Sequence, residues 1–358
     1  MSIRILPQQV AARIAAGEVI ERPSSAVKEL VENALDASAT SVEVQVSGDR
    51  LGRIVVRDDG IGMEPSDLGM CLLRHATSKL PDDRVIEPVT LGFRGEALPS
   101  IAAVASVRVT SRPPGQDVAF SVSSRDGSIA PPRPTSGGFG TSVSVDDLFE
   151  NQPTRLKFLK SRKAEAARIR EVVEAAALSS PTVAFRLSLA GYECRYPART
   201  SLKERAADVL GAGFAAAVEA SVSAPDGTIV NAVACLPAAK SRPGEFHLSV
   251  NGRPVRDRAA SSAAQSAYAS FFGPDRRPMC VVSVSADPSR VDVNVHPRKA
   301  EVRFLDHASV ASMVNAAVTK ALGAAGLPSG GLGGIPGSSF LGDAVPTDDR
   351  ISMPLGRL

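Results

Sequence analysis

Glu29, Asn33 and Asp36 fall at i, i+4 and i+7 within ELVENALDA (29–37). On a helix they share one narrow stripe, while Val27, Leu30, Val31, Ala34 and Leu35 cover the opposite arc. A carboxylate one turn from an amide can hold a metal ion and a water. The same pattern is also the wet side of an ordinary surface helix. A second group follows the strand pattern RIVVR (53–57): in DDGIGM (58–63), Asp58 stands at the strand mouth, and Gly60 and Gly62 leave the backbone free to take positive φ beneath a flat ligand. A plain tight turn uses the same residue types.

Two further stretches carry phosphate-type chemistry. In LGFRGEALPSIAAV (91–104), Gly92 and Gly95 flank Phe93 and Arg94 just before a helix pattern. Helix-start N–H groups backed by the helix dipole form an anion site, and small residues let a phosphate approach. In RHATSK (74–79), Thr77, Ser78 and Lys79 supply two hydroxyls and an ammonium in a long irregular stretch of the kind that forms lids. Finally, Gly140 and Thr141 open a strand in GGFGTSVSV (137–145), where a small hydroxyl could complete a pocket opposite Asp58. Each motif alone has a bland reading as a turn, loop or surface.

The elements that must position them alternate. Helical patterns mix with strands at 42–46, 53–57, 106–111 and 141–145 over the first 200 residues, which points to a layered α/β sandwich. After a break at PARTSLK (197–203) come a helix near 203–210, a strand at 245–250, a helix near 257–271, strands at 280–285 and 291–295, and a helix near 307–323. The expected units are residues 1–200, a smaller α/β domain at 201–325, and a Gly/Pro/Ser-rich linker or tail at 326–358. A linker usually leads somewhere, so a longer parent protein is expected.

Composition narrows the class. The chain has 358 residues, 44% hydrophobic and 22% charged, which is ordinary for a globular protein and long enough for two domains. With no Trp and 4% aromatics, the core must be aliphatic. A net charge of +3 announces no nucleic-acid partner, so any basic surface has to be local. Cys71, Cys194, Cys235 and Cys280 are scattered, without metal spacing, and read as reduced thiols of a cytoplasmic protein. No apolar run is long enough to span a membrane.

The order of the motifs decides among the readings. E-x-x-x-N on a helix, D-x-G-x-G, a glycine loop at a helix start and G-T on a strand together resemble the GHKL nucleotide-binding superfamily, and no P-loop pattern competes. IAAGEVIERPSSAVKELVENALDA (14–37), RHATSK, LGFRGEAL (91–98), VNGRPVRDR (250–258) and VDVNVHPRKAEVRF (291–304) closely resemble the N-terminal half of MutL mismatch-repair proteins, over about residues 3–323. The fold implied is α+β: a GHKL-type α/β sandwich followed by a smaller α/β domain like the ribosomal-protein-like second domain of GHKL ATPases. Three departures stand out: LFENQPTRLKFL (148–159) differs from the usual string, Asp59 replaces the more usual Asn, and Pro99 falls inside the helix after the glycine loop, where it is expected to loosen or kink it.

The resemblance implies ATP and Mg²⁺ as ligands and assigns roles. Glu29 is the implied general base, Asn33 offers an oxygen to Mg²⁺, and Asp58 accepts from the adenine amino group with Thr141 nearby. Gly60, Gly62 and the run Gly92, Phe93, Arg94, Gly95 wrap the nucleotide, with Thr77, Ser78 and Lys79 in the lid. Lys299, in HPRK, is implied to reach the γ-phosphate from the second domain, and His296 beside it reads as structural. Arg155, Lys157, Lys160, Arg162 and Lys163, with Arg168 and Arg170, form a basic stretch, and Arg253, Arg256 and Arg258 a second. Without interleaved aromatics they would contact DNA in a salt-sensitive, sequence-independent way; a solvated basic helix is the alternative. ATP-driven self-association and partners of the MutS type are implied with the family, and no endonuclease motif is present. A non-enzymatic DNA-binding scaffold and another GHKL ATPase, such as a topoisomerase subunit, are the competing readings.

Overall fold

The computed structural model describes residues 16–17, 19–74, 76–77, 91, 95–125, 127–236, 245–292 and 302–326. The first helix, α1 (Pro23–Asp36), begins with a proline at its first position, where the absent N–H costs nothing, and buries Val27, Leu30, Val31 and Ala34. It leads into β1 (Ser41–Ser47) and β2 (Arg53–Asp58), whose alternate residues Val42, Val44, Val46, Ile54 and Val56 point into the core. Short helices α2 (Pro65–Met70) and α3 (Ala97–Ala102) precede β3 (Ser106–Arg112), β4 (Ala119–Arg125), β5 (Ser128–Thr135) and β6 (Gly140–Asp146). Then follow α4 (Pro153–Phe158), the long α5 (Arg162–Ser179), β7 (Ala184–Leu189) and β8 (Tyr192–Tyr196).

These eight strands form one sheet in the order β5-β4-β3-β6-β2-β1-β7-β8, antiparallel except for the β1–β7 pair. Helices α1 and α5 pack on each other, and α1 reaches the sheet through β1 and β2. The strand at β5, SIAPPRPT, has three prolines and was not legible as a strand; it occupies the sheet edge, the position where missing N–H donors are tolerated.

The second sheet is built from β9 (Val218–Ser223), β10 (Ile229–Ala234), β11 (Phe246–Val250), β12 (Arg253–Val255) and β13 (Cys280–Ser285), in the order β12-β11-β13-β10-β9. Helix α6 (Leu202–Leu210) precedes it, and α7 (Arg258–Phe272) makes the crossover between the parallel pair β11 and β13. A small pair, β14 (Val291–Asp292) and β15 (Arg303–Phe304), and the helix α8 (His307–Ala324) complete the described chain. One face of this sheet, with Val230, Ala232, Val282 and Val284, packs with Ala264, Tyr268, Val314 and Val318 of α7 and α8. The alternate residues Val233 and Val281 turn to the other face and join Leu178 of α5, Ala206 of α6 and Phe214 in a third cluster between the sheets. Helix α5 also touches β11 and β12 directly.

The expected elements recur with small changes of boundary, and the strand expected at 291–295 is described only over Val291–Asp292. The kink expected at Pro99 is absent. Pro99 is the third residue of α3, within the first turn, where the N–H it lacks would have had no helical partner. Its own carbonyl accepts from Ala103 N–H at 3.0 Å, so the helix continues past it.

Candidate functional site

Asp58 ends β2 half-buried. Gly60 N–H and Thr141 N–H donate to its Oδ1 at 3.0 and 3.2 Å, and among the described residues no donor meets Oδ2. Burial pushes this carboxyl up to about 6, against the pull of those two backbone donors; the neighbouring Asp59 charge adds slightly to the rise. A half-desolvated carboxylate with one oxygen to spare is suited to receive a ligand donor. The strand register sets Thr141 directly opposite Asp58.

Ser111, at the end of β3, was missed from the sequence. It is 1% exposed, its Oγ donates to Gly140 O at 3.1 Å and accepts from Met63 N–H at 2.8 Å, and it lies 3.0 Å from Thr141 Oγ1. One hydroxyl thus ties the D-x-G-x-G loop to the G-T strand. The signal was available: in SVRVTSR the inward positions are Val107, Val109 and then Ser111, a polar residue where alternation calls for an apolar one.

The two glycines of the loop serve different needs. Gly62 does adopt positive φ, 69°. Gly60 does not; it is required by space, because a Cβ there would stand 2.6 Å from Ala37 O, just past the end of α1. Ile61 N–H donates to that carbonyl at 2.9 Å, so the loop is bound to the end of the helix that carries Glu29, Asn33 and Asp36. All three stripe residues are half-buried along one face of α1, as the spacing predicts. Asp36 accepts from Leu91 N–H at 2.7 Å and so holds the entry to the glycine loop. Glu32, off the stripe, is 5% exposed and pairs with Lys28 at 3.6 Å.

Gly95 has φ 60°, and a Cβ there would lie 2.4 Å from Ala76 O and 3.0 Å from Thr77 Cβ. The sequence-distant RHATSK and glycine-loop motifs therefore meet at Thr77 and Gly95. Ser78, Lys79, Gly92, Phe93, Arg94, His296 and Lys299 lie outside the described residues. Asp59 is not part of the pocket: despite partial desolvation, which pulls the other way, hydrogen bonds from Thr40 and Ser41 hold its carboxyl below the usual range and fix the start of β1.

The basic set divides. Lys157, Lys160, Arg162 and Lys163 are exposed on α4, α5 and the turn between them, and Arg256 and Arg258 are exposed beside β12. Two members require correction. Arg155 is turned inward, donating to Ile20 O at 2.9 Å and Gly17 O at 3.0 Å while lying over the Phe149 ring. Arg253 is 3% exposed and donates to Leu91 O at 2.7 Å. Both guanidiniums are engaged with backbone carbonyls rather than standing free among the exposed basic side chains. Arg170 pairs with Glu174 at 3.3 Å. The expectation of no interleaved aromatic is also corrected, since Phe158 stands 80% exposed among these lysines.

Among the described residues no three His, Cys, Asp or Glu side chains converge as a metal cluster, and no helix is long and apolar enough to cross a membrane. All four cysteines are free; burial raises the thiols of Cys71, to about 12, and Cys280.

Comparison with known proteins places this geometry. The family described as histidine kinase-, DNA gyrase B-, and HSP90-like ATPase matches residues 20–125, and that described as DNA mismatch repair protein, C-terminal domain, matches residues 206–323. The DNA mismatch repair protein MutL of Paramagnetospirillum magneticum is 43% identical over 333 residues, 91% of this chain and 55% of its own length. That of Azorhizobium caulinodans is 46% identical over 335 residues, 92% and 53% respectively. The chain spans about half the length of these curated relatives. Among solved structures, the Aquifex aeolicus MutL ATPase domain complexed with ADP matches at TM-score 0.59 and 26% identity, covering 83% of this chain and 98% of that one. The B-subunit of Myxococcus xanthus DNA gyrase shares the fold, with TM-score 0.60 at 13% identity, covering 87% of this chain and 95% of that one. At this identity and coverage the relatives settle the family: the chain belongs to the MutL family of DNA mismatch repair proteins.

Proposed function

We propose that the chain binds ATP with its adenine at Asp58 and hydrolyses it slowly, as the switch of a mismatch-repair clamp. The observation that carries this reading is the half-buried carboxyl of Asp58, raised to about 6, with Oδ2 unmet by any described donor and the Glu29–Asn33 stripe bound to the same loop through Ala37. The adenine amino group supplies the missing donor, and Thr141 and Ser111 border the same end. Glu29 takes the proton from the attacking water, a role suited to a half-buried carboxylate within the site. Gly60, Gly62, Thr77 and Gly95 line the nucleotide, together with Ser78, Lys79, Gly92, Phe93 and Arg94.

Mg²⁺ fits this donor set. An amide oxygen from Asn33 is the single protein ligand we assign; water and phosphate oxygens are the usual remaining ligands of this ion. When bound, the ion neutralises phosphate charge, while the chain's own residues orient the base, hold the loop and move the proton. Lys299 supplies a point charge toward the γ-phosphate.

We read residues 1–200 as the nucleotide-binding unit, 201–325 as the unit that receives its state, and 326–358 as a linker. Nucleotide-driven association of two such halves would then bring DNA against Lys157, Lys160, Arg162, Lys163, Arg256 and Arg258. A MutS-type recognition protein and downstream repair factors are the partners this role requires. The test is a pair of variants: Asp58→Asn should weaken nucleotide binding itself, whereas Glu29→Ala should keep binding and lose hydrolysis, both read by equilibrium binding and phosphate release. Equal loss of binding in the two would contradict the assignment.

A further inference from the structure

The buried arginine of β12 has no role in the scheme above, and its surroundings supply one. Arg253 belongs to the second sheet, is 3% exposed, and spends its Nη2 donor on Leu91 O at 2.7 Å, a residue 162 positions earlier in the chain. Leu91 is held on its other side as well, its N–H donating at 2.7 Å to Oδ1 of Asp36. Asp36 lies on α1, at i+7 from Glu29 and i+3 from Asn33. One residue of the first unit is therefore gripped through its N–H by a carboxylate of the helix that carries Glu29, and through its C=O by a guanidinium of the second sheet.

A buried guanidinium is expensive to desolvate and is tolerated where its hydrogen bonds are well made. In sequence, Leu91 immediately precedes the glycine run 92–95. The hairpin that carries Arg253 is seated on α5, which in turn packs against α1, so both grips are anchored in one packed layer.

We infer that Arg253 is a positioning residue: with Asp36 it clamps Leu91 between α1 and the second sheet, and so couples α1, with its Glu29–Asn33 stripe, to the β11–β12 hairpin. The coupling is mechanical and reciprocal. Ligand bound against the stripe biases the Asp36–Leu91–Arg253 contact, and the state of the hairpin biases ligand affinity in return. This inference rests on the reading of the α1 stripe as part of the nucleotide site and adds to it the route by which the second unit senses occupancy.

The experiment is hydrogen–deuterium exchange of segments 23–36 and 246–255, with and without a saturating non-hydrolysable ATP analogue, on the whole chain. Wild type, Arg253→Gln, Arg253→Lys, Asp36→Ala and Arg253→Gln/Asp36→Ala are compared, with analogue affinity measured alongside. In wild type the analogue should slow exchange across 246–255. In Arg253→Gln and Asp36→Ala it should still bind, roughly five- to tenfold more weakly, and leave exchange across 246–255 unchanged. The double variant should be no weaker than the worse single one, since both remove the same clamp. Lysine keeps the charge but not the planar fork, so Arg253→Lys should recover folding and only part of the coupling.

Wild-type protection of 246–255 by analogue in both Arg253→Gln and Arg253→Lys would overturn the inference, as would additive losses in the double variant. Should Arg253→Gln fail to fold, Asp36→Ala alone decides, because it removes the acceptor for Leu91 N–H and so breaks the clamp from the opposite side. Absence of analogue binding to wild type would defeat the nucleotide reading and the clamp together. Binding with no exchange response in 246–255 of wild type would defeat only the clamp.

Discussion

The two ends of the candidate site are built from different materials. The Asp58 end is made where neighbouring strands finish: β2, β6 and β3 are in one hydrogen-bonded register, and Ser111, Thr141 and Gly140 are linked by side-chain bonds within that frame. The Leu91 end is made from a loop residue reached from two sides, by Asp36 of the first helix and Arg253 of the second sheet. The first end is preformed and its geometry follows from pleat and register alone. The second depends on how two sheets sit together, so it is the end able to respond to a ligand or transmit its presence. On the proposed reading, selection of the base and reaction at the phosphates are thereby separated in rigidity.

The largest contrast should come from the stripe on α1. On the proposed reading Glu29→Ala removes the general base, a group usually worth about a hundred- to ten-thousandfold in rate, and phosphate release should fall accordingly while nucleotide affinity changes little. A parallel fall in affinity would mean that the two ends are not separable.

DNA binding tests the exposed basic surface. If four phosphates are neutralised by Lys157, Lys160, Arg162 and Lys163, the slope of log K against log salt on duplex DNA should be about −3.6, or roughly 150-fold between 50 and 200 mM salt. Arg155→Ala should leave that slope unchanged, because its guanidinium is engaged with Gly17 and Ile20, and should instead expose the segment before α1 to protease. Loss of one unit of slope in Arg155→Ala would return that residue to the DNA face.

Lys299→Ala should slow hydrolysis about ten- to hundredfold, the range of one charge-assisted contact, yet leave ADP affinity nearly intact. Lys299→Arg should restore it only in part. Equal weakening of ADP and ATP analogue would place the lysine elsewhere than at the terminal phosphate.

The smallest effect is the pH dependence of the Asp58 end. The folded chain holds the Asp58 proton up to about pH 6, above the ordinary carboxylate value of 3.8. Without ligand this group therefore contributes stability that is full below about pH 4 and is lost as pH rises through about 6. A ligand donor prefers the ionised form, so its affinity should move the other way, falling about tenfold from pH 7 to pH 5. Asp58→Asn should flatten that profile, as read by titration calorimetry at each pH.

Much of the Asp58 end was legible in the sequence because it is local: D-x-G-x-G after a strand and G-T before another are periodic features, and register brings them together. Ser111 is legible only as a break in alternation, because a serine in a strand carries no signal of its own until its neighbours across the sheet, Gly140 and Thr141, are known. The Leu91 end was not legible. Nothing in VNGRPVRDR distinguishes Arg253, which is buried, from Arg256 and Arg258, which are exposed, until β12 is seen to face α5. For the same reason Arg155 was grouped with its lysine neighbours, although its partners are carbonyls more than a hundred residues earlier. β5 was hidden by its prolines, whose tolerance depends on being at an edge.

The third core has a thermodynamic consequence. Leu178, at the end of α5, is the one buried member of this cluster from the first unit, and it seats on Ala206, Phe214, Val233 and Val281 of the second, beside the contacts of α5 with β11 and β12. Neither half can shed its partner without exposing this apolar patch to water, so the described chain should denature in one sigmoidal step, with the same midpoint whether followed by a probe on β1 or on β13. Replacing the fully buried Phe214 by alanine would cost about 3–5 kcal/mol, and its signature would be less the lowered midpoint than the splitting of that single step into two.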